Sequence, residues 1–157
     1  MDLLESGSKL RVALDVWEPE PNISCQLLER VLLATPHIAG YSREGKIRGT
    51  EMLAEDFYQW RDGVVVAKSV NPIGVKVVVQ GENLSQIILA SYDVAEDDRR
   101  MREAINNSLG SNCSDSVAEV FDRLRKDYPQ RREFSYFSIA EAAEESLTLQ
   151  ARLLGFV

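Results

Sequence analysis

At 157 residues the chain is long enough for one ordinary domain or two small ones, and folding at this size buries roughly 70% of the extended chain's surface. Hydrophobic residues at 45% and charged residues at 27% exclude the disordered and fibrous classes. The net charge of -7 argues against a general affinity for nucleic acid or an anionic membrane, because both attract basic surfaces. No apolar run approaches the roughly 20 residues that cross a bilayer, and MDLLESGSKL is too short and too acidic for a signal peptide. A cytoplasmic globular protein is expected. Cys25 and Cys113 lie far apart, without CxxC spacing or a second histidine nearby, so two reduced thiols and no metal site are expected. The N-x-S sequons that begin at Asn22, Asn83, Asn106 and Asn112 carry no weight without a secretion signal.

MDLLESG reads as the tail of a helix closed by Gly7. LRVALDV (10–16) predicts a buried strand, and the prolines of EPEPN break any regular element after it. CQLLERV predicts a short helix, and VLLAT (31–35) a second buried strand stopped by Pro36. Two continuous apolar strands joined by a helix suggest a parallel α/β sheet. From Ser42, a plausible N-cap, Ile47, Met52, Leu53, Phe57 and Trp60 fall at spacings that predict a helix of about five turns with an apolar stripe, ended by Arg61, Asp62 and Gly63. AKSVNP resembles a linker, which places a domain boundary near residue 70.

The second half opens with IGVKVVVQGEN, where Val75, Val77 and Val79 alternate with Lys76 and Gln80 as in a strand, before a turn at Gly81-Glu82-Asn83. Two helical stretches are expected at about 84–106 and 114–127, REFSYFSI as a second strand, and AEAAEESLTLQARLLG as a final helix closed by Gly155. Residues 1–69 thus read as α/β and residues 70–157 as a small α+β unit.

Asp15, Glu20, His37 and Gly40 fall at or just beyond strand ends, where open α/β sheets bind ligands. His37 is the only histidine. An imidazole is the natural acid or base near neutral pH, and an adjacent carboxylate favours its charged form, so Glu20 would orient His37 and keep it protonated. Taken with composition alone, a purely structural histidine is the favoured reading.

ALDVWEPEP followed by LLATPHIAGYSREGKIRGT resembles the C-terminal segment of the nucleotide-binding domain of the D-2-hydroxyacid dehydrogenases, and in particular their erythronate-4-phosphate dehydrogenase branch. The valine-rich strand, YDVAEDDRRMRE, FDRLRKDYPQRREFSYF and the closing LLGF resemble the dimerisation domain of that branch. The resemblance implies the C-terminal part of a Rossmann-type domain (1–69) followed by a dimerisation domain (70–157), NAD as cofactor, a homodimer, and a small phosphorylated hydroxy acid as substrate. The activity implied is NAD-dependent oxidation of 4-phospho-D-erythronate on the route to pyridoxal 5'-phosphate (vitamin B6). It also implies His37 as proton donor or acceptor, Glu20 as its partner, Asp15 at the nicotinamide end of NAD, Gly40 as a point of close cofactor approach, and Tyr41 as a substrate contact. Glu18 and Asp62 read as solvated charges.

Two features of that family have no counterpart in this sequence: an arginine in an RG motif that binds the substrate carboxylate, and a G-x-G-x-x-G turn for the pyrophosphate. Arg48-Gly49 sits inside the predicted helix, on the wrong side of the histidine. The chain therefore reads as a C-terminal portion, inactive alone, with a stand-alone homodimerisation module as the alternative, or a portion of another D-2-hydroxyacid dehydrogenase. Gly40-Tyr-Ser-Arg-Glu-Gly45-Lys46 matches a phosphate loop, but Ile47 stands where magnesium coordination needs Ser or Thr, which argues against nucleotide hydrolysis. Arg99, Arg100, Arg102 and the Arg123–Arg132 cluster are interspersed with acids and read as a solvated or interface face.

Overall fold

A computed structural model describes residues 9–63, 77–110, 115–140 and 144–157. The predicted helix tail at MDLLESG, the AKSVNP linker, the boundary near residue 70, and Cys113 lie outside the described residues. The chain forms two compact units, Met1–Ala39 with Asp93–Pro129 and Gly40–Tyr92 with Gln130–Val157. Each unit takes chain from both sides of residue 70. Among the described residues the fold is mixed, with helices and two small parallel sheets.

In the first unit, β1 (Ala13–Leu14) pairs in parallel with β2 (Leu33–Ala34), Ala13 opposite Leu33 and Leu14 opposite Ala34. Both are shorter than the apolar runs that predict them. Leu10, Val16 and Leu32 at the ends of those runs are exposed, so the apolar sequence continues where the pairing does not. Between the strands lies α1 (Cys25–Arg30), capped by Ser24, whose side chain accepts from the Leu27 N–H. Two helices from later in the chain, α4 (Val94–Ser108) and α5 (Val117–Lys126), complete the unit. Trp17, Leu28, Val31 and Ala34 share one core with Met101, Ile105, Val120 and Phe121.

A polar clamp fixes the register of α4 on this core. The Asp98 carboxylate accepts from the Ala34 N–H at 2.7 Å and from Arg102 Nε at 2.9 Å, while the Arg102 guanidinium donates to the carbonyls of Leu28 and Val31. Those carbonyls lie at the C-terminal end of α1, where a helix has no intrahelical donors left. Arg99 conforms to the expected solvated face, exposed and paired with Glu96 and Glu103. Arg102 departs from it, because its fork is consumed by backbone oxygens that only the tertiary fold brings within reach.

The second unit contains α2 (Arg43–Asp62), β3 (Val77–Val79), α3 (Leu84–Ser91), β4 (Phe137–Ile139) and α6 (Glu145–Leu153). Ser42 caps α2 as expected, accepting from the Gly45 N–H at 2.9 Å, and Gly63 ends it in the left-handed region at φ 66°. The apolar stripe behaves differently: α2 buries none of its side chains, with Leu53 73% and Trp60 81% exposed. Residues 131–133 run alongside the start of this helix. The Arg43 N–H donates to the Arg131 carbonyl, Arg132 Nε and the Glu133 N–H both donate to the Glu44 carboxylate, and the buried Ser42 hydroxyl donates to Glu133.

β3 and β4 pair in parallel, Val77 opposite Phe137 through Val79 opposite Ile139, and Val79 packs with Ile87, Phe137, Leu147, Ala151 and Phe156. The single helix expected over 84–106 is two. Tyr92 is extended, and Asp93 starts a new helix by accepting from the Ala95 N–H at 2.9 Å, the behaviour of a short carboxylate that competes with the helical backbone. Gly155 at φ 101° follows α6, as the sequence predicts.

Candidate active site

The first unit brings together Asp15, Glu20 and His37 around the loop that leaves β2. Pro36 ends the strand, and His37 takes φ 56°, the left-handed region that a side chain other than glycine seldom occupies. Asp15 accounts for this conformation. Its Oδ1 accepts from the Thr35 hydroxyl at 2.6 Å and the Ile38 N–H at 2.7 Å, and its Oδ2 accepts from the Ala39 N–H at 3.0 Å. One carboxylate thus gathers donors from both sides of His37 and turns the backbone around it.

Glu20 is held with equal economy. Its Oε1 accepts from the Trp17 N–H at 2.8 Å and its Oε2 lies 2.8 Å from His37 Nδ1. Trp17 is itself buried, with its indole N–H donating to the Thr35 carbonyl at 2.9 Å. Burial pushes the Glu20 carboxyl up, but the hydrogen bonds with His37 and the Trp17 N–H, aided by the charges on His37 and Arg125, outweigh it and hold Glu20 below the ordinary 4.5. An ionised carboxylate only accepts, so Nδ1 carries the proton it donates, and the other ring nitrogen, Nε2, is turned away from Glu20. With the His37 side chain 43% exposed, this arrangement offers a proton-exchanging nitrogen at an accessible surface.

Gly40 and Tyr41 open the second unit. A Cβ at Gly40 would meet nothing within 4 Å, so no packing among the described residues demands glycine there. Tyr41 carries Lys46 Nζ over its ring, 4.4 Å from the centroid. Glu18 is exposed, as expected. Asp62 is exposed and pairs with Arg61. Among the described residues no group of three or more His, Cys, Asp or Glu side chains forms a metal site, and no helix is long and apolar enough to cross a membrane.

Three participants escape a reading of the sequence. Trp17 and Thr35 hold Glu20 and Asp15, and both stand inside the quoted ALDVWEPEP and LLATPH segments, so their place beside the candidate residues was the available signal. Arg125 acts on Glu20 from α5, more than a hundred residues later in the chain, and nothing local marks it.

Residues 65–155 match the family described as Domain of unknown function (DUF3410). Over 99% of its length the chain is 38% identical to the erythronate-4-phosphate dehydrogenase of Psychromonas ingrahamii, covering 40% of that protein. It is 42% identical to that of Proteus mirabilis, with 88% of the chain and 36% of the relative covered, and 37% identical to that of Pseudomonas paraeruginosa, with 98% and 41% covered. The chain therefore spans about two-fifths of the length of these curated relatives, which are oxidoreductases by name. Through the matched residues 65–155 the chain belongs to the DUF3410 family, and through these relatives it resembles the C-terminal portion of erythronate-4-phosphate dehydrogenases.

Proposed function

We propose that this chain supplies the proton-transfer part of an NAD-dependent dehydrogenase that oxidises 4-phospho-D-erythronate in pyridoxal 5'-phosphate synthesis. The observation that carries the reading is the His37 Nδ1 to Glu20 contact of 2.8 Å, on a loop that Asp15 holds in a conformation costly for histidine. Glu20 fixes the ring and its tautomer, which leaves Nε2 to take the proton of the substrate hydroxyl as that carbon becomes a carbonyl. In the reverse direction Nε2 returns the proton to the carbonyl oxygen. NAD, when bound, accepts the hydride from the same carbon. The open space beside Gly40 fits an approaching nicotinamide ring, and both Asp15 oxygens are already engaged by the loop, so Asp15 contributes chiefly by shaping it. Tyr41 would contact the phosphorylated substrate.

The sequence holds neither the arginine of an RG motif before β1 nor a G-x-G-x-x-G turn, so positioning of substrate and cofactor would be incomplete and the chain alone is expected to show no turnover. The test is a chimera in which this chain replaces the matching two-fifths of the Psychromonas ingrahamii enzyme, assayed for reduction of NAD dependent on 4-phospho-D-erythronate. Turnover is expected, and His37→Gln should lower it by about 10²–10⁴-fold, the worth of a positioned acid or base. A folded chimera without activity, or a His37→Gln chimera with undiminished activity, would refute the reading.

A second reading, homodimerisation through residues 70–157, is supported by apolar side chains that the second unit leaves exposed, among them Val78, Leu149 and Leu153. Sedimentation of the chain at micromolar concentration should give a dimer, and a clean monomer would count against it.

A further inference from the structure

One motif has no part in the proton transfer: Gly40-Tyr-Ser-Arg-Glu-Gly45-Lys46, with phosphate-loop spacing but Ile47 in place of the hydroxyl that magnesium needs. It forms the tight entry into α2. A Cβ at Gly45 would stand 2.7 Å from Ser42 Oγ and 3.0 Å from the Gly40 carbonyl oxygen, closer than packing tolerates, so only glycine lets the turn close. The turn is also pinned from outside. Ser42 is fully buried and donates to Glu133, the Arg43 N–H donates to the Arg131 carbonyl at 2.9 Å, and Glu44 accepts from Arg132 at 2.7 Å and from the Glu133 N–H at 2.9 Å. The acid nearest to Lys46 on its N-terminal side is therefore already committed. Lys46 instead lies with Nζ 4.4 Å from the centre of the Tyr41 ring, the contact of a cation on an aromatic face.

We propose that Lys46, carried on the Tyr41 ring, binds the phosphate monoester of the substrate and selects phosphorylated over unphosphorylated hydroxy acids. This inference rests on the dehydrogenase reading for the identity of the substrate, and on the geometry of residues 40–46 for the site. An ammonium is a compact point charge suited to a phosphate oxygen, and the N–H donors that point away from the ring face can be shared with an anion. Holding that ammonium on a pinned turn lowers the cost of ordering it when the ligand arrives. The motif thus keeps the phosphate chemistry that its spacing suggests without the metal and the hydrolysis.

The test follows the Lys46 side-chain and Tyr41 ring resonances of the isotope-labelled chain by NMR, at constant ionic strength, during titration with inorganic phosphate, 4-phospho-D-erythronate and unphosphorylated D-erythronate. Both phosphates should shift the two side chains, and D-erythronate should not. Lys46→Met should weaken the response to phosphate by about tenfold, the loss of one charge-assisted hydrogen bond, and Lys46→Arg should keep most of it. A response that survives Lys46→Met, an equal response to D-erythronate, or no response to either phosphate would overturn the assignment. If both phosphates move Lys46 and Tyr41 but the folded chimera shows no turnover of 4-phospho-D-erythronate, the phosphate site stands and the dehydrogenase reading is the one that fails.

Discussion

The loop around His37 and the helix α2 lie next to each other in the chain and are stabilised in opposite ways. In the loop, two carboxylates take up five contacts: Asp15 binds Thr35, Ile38 and Ala39, and Glu20 binds Trp17 and His37. In α2, twenty residues hold their shape with a Ser42 cap, a Gly63 stop, the latch at residues 131–133 and surface pairs such as Arg48 with Glu55, while no side chain along its length is buried. A strained, polar, short segment is thus fixed by its neighbours, and a long amphipathic one largely by its own ends. The loop's conformation is costly and specific. The helix's apolar stripe is available, and its contribution to the stability of this chain is small.

The largest effect should come from removing the carboxylate that turns the loop. Asp15→Ala leaves the Thr35 hydroxyl and the Ile38 and Ala39 N–H groups without their acceptor, a loss of about 3 kcal/mol for hydrogen bonds to a charged group. Thermal unfolding of the wild type and the variant measures it. Asp15→Asn, which keeps one acceptor oxygen, should recover part of the loss. If Asp15→Ala melts with the wild type, the carboxylate is not what holds His37 in its left-handed conformation.

A smaller effect, tied to pH, should come from Glu20. Its folded-state pKa lies below the ordinary 4.5, so the stability it contributes is present above that unfolded value and is lost as pH falls through the folded value. Glu20→Gln should therefore cost about 1 kcal/mol at neutral pH, and the gap to wild type should close as the pH is lowered through the folded-state value. Melting temperatures of both proteins across that range give the comparison. A gap that stays constant with pH would mean that the charge on Glu20 contributes nothing, and that any cost of the variant comes from shape.

These two residues also show what a sequence makes legible. His37 and Glu20 were legible as a pair because the chemistry of an imidazole and a carboxylate constrains the choice of residues, and the contact at 2.8 Å agrees with it. The hydrogen bonds of Asp15 were not. Its position at a strand end suggests a ligand contact, and its three partners lie 20 to 24 residues onward with no periodicity to announce them. Arg102 shows the same limit from the other side: a run of charges reads as solvated because the carbonyls of Leu28 and Val31 that it binds are more than seventy residues away. Local rules did well where the physics is local, at the Ser42 cap and at the Gly63 and Gly155 stops. They missed the break at Asp93, since a helix that stops and restarts within two residues keeps nearly the same apolar spacing on both sides.

The smallest effect should come from the stripe on α2, and it is the sharpest test of the contrast. Helical periodicity states which side chains share a face, but whether anything covers that face depends on the rest of the molecule. With Leu53 and Trp60 largely exposed, Leu53→Ser and Trp60→Ser should each change the stability of this chain by no more than about 0.5 kcal/mol. Phe121→Ala, which empties a fully buried position in the core of the first unit, should cost about 3–5 kcal/mol under the same conditions. The measurement is urea unfolding at several protein concentrations. A loss on Trp60→Ser that approaches that of Phe121→Ala, and grows with concentration in the wild type only, would mean that the stripe is buried between copies in solution; α2 would then owe its stability to packing as the loop does, and the contrast between the two segments would be gone.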